Sequence, residues 1–121
     1  LKFYTLKPMD SKQLSWSDFE KVDIRVGTVM EALDFPEARK PAYKLYIDFG
    51  APIGVLKTSA QITKLYAKES LIGQQLVAVV NFPEKQIANF KSQCLVLGAV
   101  NKDEVTLLQP MSKVHNGLKI S

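Results

Sequence analysis

The sequence predicts an all-β fold, a small five-stranded barrel with one or two short helices. Three observations carry this expectation. Apolar and polar residues alternate at period two over residues 22–30 and again over 44–49, the mark of strands with one buried face. Leu76-Val77-Ala78-Val79-Val80 is a continuous apolar run of strand length and composition. Turn residues separate the runs, at Gly50-Ala51-Pro52, around Pro83 and at Asn116-Gly117.

Taken in order, residues 1–14 have little pattern and are expected as an N-terminal arm or an edge strand. Ser17-Asp18-Phe19-Glu20 fits a capping box, with Ser17 at the N-cap and Glu20 three residues on, so a short helical turn starts there. The first strand follows over 22–30. Its alternation puts Val22, Ile24, Val26 and Met30 on the buried face and Asp23 and Arg25 on the other. A loop bracketed by Pro36 and Pro41 leads to the second strand, 44–49, with Leu45, Ile47 and Phe49 inward. Residues 53–57 read as its antiparallel partner. Ile62, Leu65 and Tyr66 stand at helical spacing, which predicts a short helix within 59–70. Strands at 75–81, 93–99 and 105–108 complete the pattern, and 109–121 form a C-terminal extension. Three strands, a short helix and further strands make the order of the OB-fold, whose face and loops take oligonucleotides or oligosaccharides.

With 121 residues the chain is expected to form a single domain, 1–121. Hydrophobic residues make up 46% and charged residues 23%, which excludes a disordered chain. The apolar runs are too short to span a bilayer, and residues 1–10 lack the features of a secretory signal. A cytoplasmic location without membrane insertion is the expectation. Sixteen basic residues against twelve acidic ones leave a net charge of +4, compatible with a polyanionic partner.

The chemistry of an enzyme is missing from the pattern. One cysteine, Cys94, and one histidine, His115, cannot supply a zinc site. No Gly-Lys-Ser/Thr phosphate loop follows any glycine, and the carboxylates are scattered, so no acid/base pair stands out. No catalytic residue, metal or cofactor is expected. Cys94 lies in an apolar run and reads as a small buried hydrophobe.

At Asp23-Ile24-Arg25-Val26-Gly27 the chain begins to resemble the tRNA-binding domain family, OB-fold modules appended to some aminoacyl-tRNA synthetases or found as free dimers. Ala42-Tyr43-Lys44-Leu45, Val79-Val80-Asn81-Phe82 and Ser92-Gln93-Cys94-Leu95 continue the resemblance in order, over about residues 16–121. Cys94 and Leu95 depart from the Gly and Met of the family pattern. Within the family, the stretch from Phe35 to Leu45, Ser59-Ala60-Gln61-Ile62-Thr63 and Val79-Val80-Asn81-Phe82-Pro83 are similar to the CsaA-type export-related chaperones. The resemblance implies a homodimer, with the terminal segments in the interface. It also implies a surface for tRNA or other structured RNA, and contact with unfolded or exported polypeptides.

Residues were weighed for that surface one at a time. Arg25 either holds a phosphate or base edge with its two-point fork or pairs with Asp23. Arg39, Lys40 and Lys44 surround the loop between strands one and two, a rim where OB-folds grip ligands. Asn81 reads a base edge or peptide backbone, or caps its own turn before Pro83. Phe82 stacks on an exposed base, or belongs to the core or a dimer interface. Lys57, Lys85 and Lys91 extend the basic groove if they share its face, and Ser92 comes from the family motif. RNA binding leads these readings. A polypeptide-binding chaperone is the alternative, and a subunit that docks on a larger synthetase is the third.

Overall fold

The computed structural model describes residues 13–121, so the arm expected at 1–14 falls almost wholly outside the described residues. The first element is α1 (Trp16–Glu20), followed by β1 (Ile24–Asp34), β2 (Tyr43–Asp48), β3 (Val55–Ala60), α2 (Lys68–Leu71) and β4 (Gln75–Val79). Five short strands follow: β5 (Lys85–Ile87), β6 (Phe90–Ser92), β7 (Leu95–Val96), β8 (Gly98–Asn101) and β9 (Glu104–Leu107). The main sheet is antiparallel in the order β3-β2-β1-β4-β7, while β5–β6 and β8–β9 are separate hairpins. Gln93 N–H donates to Lys57 O at 2.8 Å beside β7, drawing the two sheet edges into a nearly closed barrel. The OB-type expectation holds.

The helix begins two residues earlier than expected. Ser15, not Ser17, is the N-cap, and its Oγ accepts from Asp18 N–H at 3.1 Å. Ser15 precedes Asp18 by the same interval at which Ser17 precedes Glu20. The earlier start places the Asp18 carboxylate in the first turn, at the positive end of the backbone dipoles.

The second strand is as read: Leu45, Ile47 and Phe49 are fully buried at the centre of the core. The first strand differs. Val29 pairs with Ile47 but Glu31 pairs with Tyr46, so Met30 is an extra residue in a bulge and lies 55% exposed. Cross-strand partners share a face. Val29 opposite Ile47 and Ala32 opposite Leu45 therefore point into the barrel, as does Gly27 opposite Leu76. A Cβ on Gly27 would stand 2.6 Å from Ile47 Cγ2 and 2.8 Å from the Phe49 ring, so the interior there has room for glycine alone. Val26 is buried as expected, but it and Ile24 sit on the face opposite Gly27 and Val29, and Val22 is exposed, so the expected inward set of β1 is corrected in part.

Every residue of β4 is buried. The C-terminal segment accounts for part of this by running along β1 as an extra strand. Gly117 N–H donates to Val26 O, Val26 N–H to Leu118 O and Ile120 N–H to Ile24 O, at 2.7–3.1 Å. The Gln75 amide grips the same segment, donating to Val114 O at 2.6 Å and accepting from Val114 N–H at 3.0 Å.

The helix expected over 59–70 shrinks to the four residues of α2, because β3 continues to Ala60. Its helical spacing has another origin. Ile62 is buried in the core, Leu65 is exposed, and Tyr66 is tied by Tyr43 Oη donating to its carbonyl at 2.7 Å. The strand expected at 93–99 breaks into β7 and β8. No helix of the described residues is long and apolar enough to cross a membrane.

Candidate nucleic-acid interface

The outward face of β2 and β3 is set by register. Lys44 pairs with Ser59 and Tyr46 with Lys57, so these four side chains alternate with the inward Leu45, Thr58 and Ile47. Two segments fold over this face, the loop after β1 and the β5–β6 hairpin. They meet in a second small core of Phe35, Ala42 and Phe90, with Ala38, Tyr46 and Ile87 packed against it. The Phe35 and Phe90 rings lie 5.4 Å apart at 60°, an edge-to-face pair.

Two lysines sit on those rings. Lys44 Nζ is 4.9 Å from the Phe35 centroid and 5.5 Å from that of Phe90, and Lys57 Nζ is 5.1 Å from Phe90. The ion pairs of the described residues are all elsewhere: Lys21–Asp18, Arg25–Asp23, Lys64–Asp103 and Lys68–Asp34. Arg39, Lys40, Lys44, Lys57, Lys85 and Lys91 have no carboxylate partner among the described residues.

The hairpin that carries Phe90 is stitched to β3 through Ser92. Ser92 Oγ accepts Ser59 N–H at 3.2 Å and lies 2.8 Å from Thr58 Oγ1, while Thr58 Oγ1 donates to Cys94 O at 2.6 Å. With one proton per hydroxyl, Thr58 donates to Cys94 O and Ser92 donates to Thr58, so each group is satisfied. Lys57 N–H donates to Gln93 Oε1 at 3.0 Å, holding the same junction. Ser92 thus works as a latch inside the face. Cys94 beside it is buried, and burial pushes its thiol up to about 12.

A groove of about 1530 Å³ adjoins this face. Arg39, Lys40 and Lys85 stand along its lining, and Phe82, 54% exposed, joins them. Much of the rest is apolar, including Ile62, Leu95 and Val100.

Two of the residues nominated from sequence are committed to internal bonds. Arg25 Nε donates to Asp23 Oδ1 at 2.6 Å and Nη1 to Gly117 O at 3.0 Å, so its fork ties the strand to the C-terminal segment. Asn81 Oδ1 accepts Asp23 N–H at 3.0 Å and its Nδ2 donates to Lys21 O at 2.7 Å. It staples the end of β4 to the α1–β1 connection and does not cap the turn at Pro83. Arg39, Lys40, Lys44, Lys57, Phe82, Lys85 and Ser92 are brought together. Sequence reasoning missed Phe35, Phe90 and Thr58. The one signal for Phe90 was its place as the lone aromatic between Lys85 and Ser92.

A five-stranded barrel with cations on its strand-two and strand-three face, framed by the adjoining loops, is an OB-type binding module. The chain belongs to the tRNA-binding domain family: residues 24–119 match the family model described as "Putative tRNA binding domain". It is similar to the crystal structure of the chaperone CsaA from Bacillus anthracis, at 54% identity, 91% coverage of this chain, 100% of that one and a TM-score of 0.87. It is likewise similar to the CsaA chaperone protein from Picrophilus torridus, at 54% identity, coverage of 90% and 100%, and a TM-score of 0.85. The methionine–tRNA ligase of Pyrococcus furiosus is 34% identical over 107 residues, 88% of this chain and 14% of the ligase. The chain spans 14–16% of the length of the curated relatives it matches.

Proposed function

We propose that this chain is a single binding module, not an enzyme, that takes tRNA or other structured RNA on the face of β2 and β3. The observation that carries the reading is the sorting of charge. The ion pairs of the described residues all lie away from this face, while the five cations placed at it, Arg39, Lys40, Lys44, Lys57 and Lys85, have no ion-pair partner among the described residues. Cations kept free in this way neutralise phosphates and release counterions, which supplies most nucleic-acid affinity. Family membership supports the choice of tRNA.

The groove favours a second activity. Its apolar lining suits an extended polypeptide segment, and the similarity to chaperones named CsaA supports contact with unfolded or exported chains. We assign the protein to the cytoplasm and to a homodimer. Trp16, 84% exposed, and the exposed Met111 and Leu118 lie on the segments that flank the barrel, where a second copy would cover them.

The test is a gel-shift titration with bulk tRNA at two salt concentrations, against double-stranded DNA of equal charge. Binding in the micromolar range or tighter that weakens with salt yet resists the DNA supports the RNA reading. No shift at low salt, or displacement in proportion to charge, removes it and moves the polypeptide reading to first place.

A further inference from the structure

We propose that Lys44 and Lys57 form a phosphate seat, two ammonium groups held on one aromatic ring so that they bracket a single backbone phosphate. This rests on the RNA-binding reading and specifies its contact. Both Nζ atoms lie within 5.5 Å of the Phe90 centroid, one from β2 and one from β3. Their cross-strand partners, Ser59 and Tyr46, place both lysines on the outward face.

The ring and a carboxylate act differently on a lysine. A carboxylate would hold the ammonium and cancel its charge. An aromatic face holds it through the ring quadrupole and leaves the charge available to a ligand. The side chains are also ordered before a ligand arrives, so less rotamer freedom is lost on binding. The ring itself is fixed, because Phe90 packs edge-to-face on Phe35 and its hairpin is latched to β3 by Ser92.

The same burial says what is recognised. Phe35 and Phe90 are almost fully buried, so neither offers a free face on which a base could stack. The seat therefore reads the backbone and is indifferent to base identity. Any base contact falls to the exposed Phe82, at the groove.

The test uses the full chain with Lys44→Gln, Lys57→Gln, the double variant, and Lys64→Gln as a control whose lysine is paired with Asp103. Binding of tRNA is measured against salt, and inorganic pyrophosphate is titrated while the lysine Cε–Hε signals are followed by NMR. The two lysines share one phosphate, so the seat as a whole should carry about 0.7–0.9 of the slope of log affinity against log salt. The double variant then lowers the slope by about 0.8. A fourfold rise in salt costs the wild type about threefold more affinity than it costs the double variant. Pyrophosphate should shift the Lys44 and Lys57 signals together, and Lys64→Gln should leave both readouts unchanged. If wild type binds tRNA and the double variant keeps its affinity within twofold and its slope, the seat is overturned and the RNA reading stands. If wild type binds no tRNA, the RNA reading falls. The pyrophosphate arm then decides the seat alone: shifts confined to the two lysines sustain it, and shifts spread over all lysines overturn it.

Discussion

Replacing Gln75 with leucine should free the C-terminal segment and leave the barrel folded. The Gln75 side chain is buried and makes three bonds to that segment. Its Nε2 donates to Val114 O at 2.6 Å and to Asn116 Oδ1 at 3.1 Å, and its Oε1 accepts Val114 N–H at 3.0 Å. Leucine keeps the volume and offers neither donor nor acceptor. Three bonds at a net 0.5–1.5 kcal/mol each come to about 2–4 kcal/mol if the segment stays docked. Detachment is the other route. Residues 114–120 then rehydrate and give up the bonds between Gly117 and Val26, Leu118 and Val26, and Ile120 and Ile24. The observed cost is the smaller of the two. Hydrogen exchange separates them, because opening of one segment shows only at its own amides. The Val26, Gly117 and Ile120 amides should speed up by roughly 30-fold to 1000-fold, the equivalent of 2–4 kcal/mol. Amides of β2 between Leu45 and Ile47 should keep their protection. Wild-type exchange at the three amides would show that Gln75 does not hold the segment. Acceleration of β2 to the same degree would show that segment and barrel open as one unit, and the local picture would be wrong.

Three further outcomes are expected. Gly27→Ala forces a methyl against Ile47 and Phe49, both fully buried, and should lower stability in urea by about 1–3 kcal/mol, with part of the loss recovered when Phe49→Leu is added. Cys94 should resist a thiol reagent in the folded protein at neutral pH. Its folded pKa is raised, so the stability it contributes is present below pH 9.0 and is lost as pH climbs towards about 12, and Cys94→Ala should flatten thermal stability across that window. Asn81→Ala removes the staple to Lys21 O and Asp23 N–H and should cost about 1–2 kcal/mol with tRNA affinity unchanged, whereas a loss of affinity at unchanged stability would assign Asn81 to the ligand.

What could be read from the sequence followed what local pattern encodes. The second strand was legible in full, because it is regular and its two faces meet different surroundings, barrel interior on one side and the basic face on the other. The first strand was legible as a strand and only in part as a face. The bulge at Met30 breaks its period, and the C-terminal segment adds a strand along its edge that no local window contains. The 59–70 stretch was misread because Tyr66 is apolar for a tertiary reason, its bonds to Tyr43 and Leu107, and not for a helical one. The lysines were nominated by charge and loop position. Their aromatic support was invisible, since Phe35 and Phe90 are far apart in sequence and meet only when the hairpin folds onto β3.

The motif through which the resemblance first appears, Asp23-Ile24-Arg25-Val26-Gly27, does architectural work at each of its polar or special positions. Asp23 holds the Arg25 fork, its N–H donates to Asn81 Oδ1, and its C=O accepts Val80 N–H at 2.8 Å. Arg25 clasps Gly117 O, and Gly27 admits Ile47 and Phe49 to the barrel interior. A sequence carrying this motif thereby specifies where the first strand bends inward and where its last segment docks. It says nothing direct about a ligand, because no donor or acceptor of the motif is left facing the basic groove. On the proposed reading the ligand is decided on the other side of the sheet, by cations that the Asp23–Gly27 motif does not supply. A chain could keep every motif residue, and so the fold, while exchanging Lys57, Arg39 and Lys85 for neutral side chains, and it would lose its grip on a polyanion without losing its barrel. Stability and RNA affinity should accordingly respond to separate sets of substitutions: Asp23, Arg25, Gly27 and Asn81 for the first, Lys44 and Lys57 for the second. Phe35 and Phe90 should move both, because each belongs to the small core and each supports a lysine charge, Lys44 on both rings and Lys57 on Phe90.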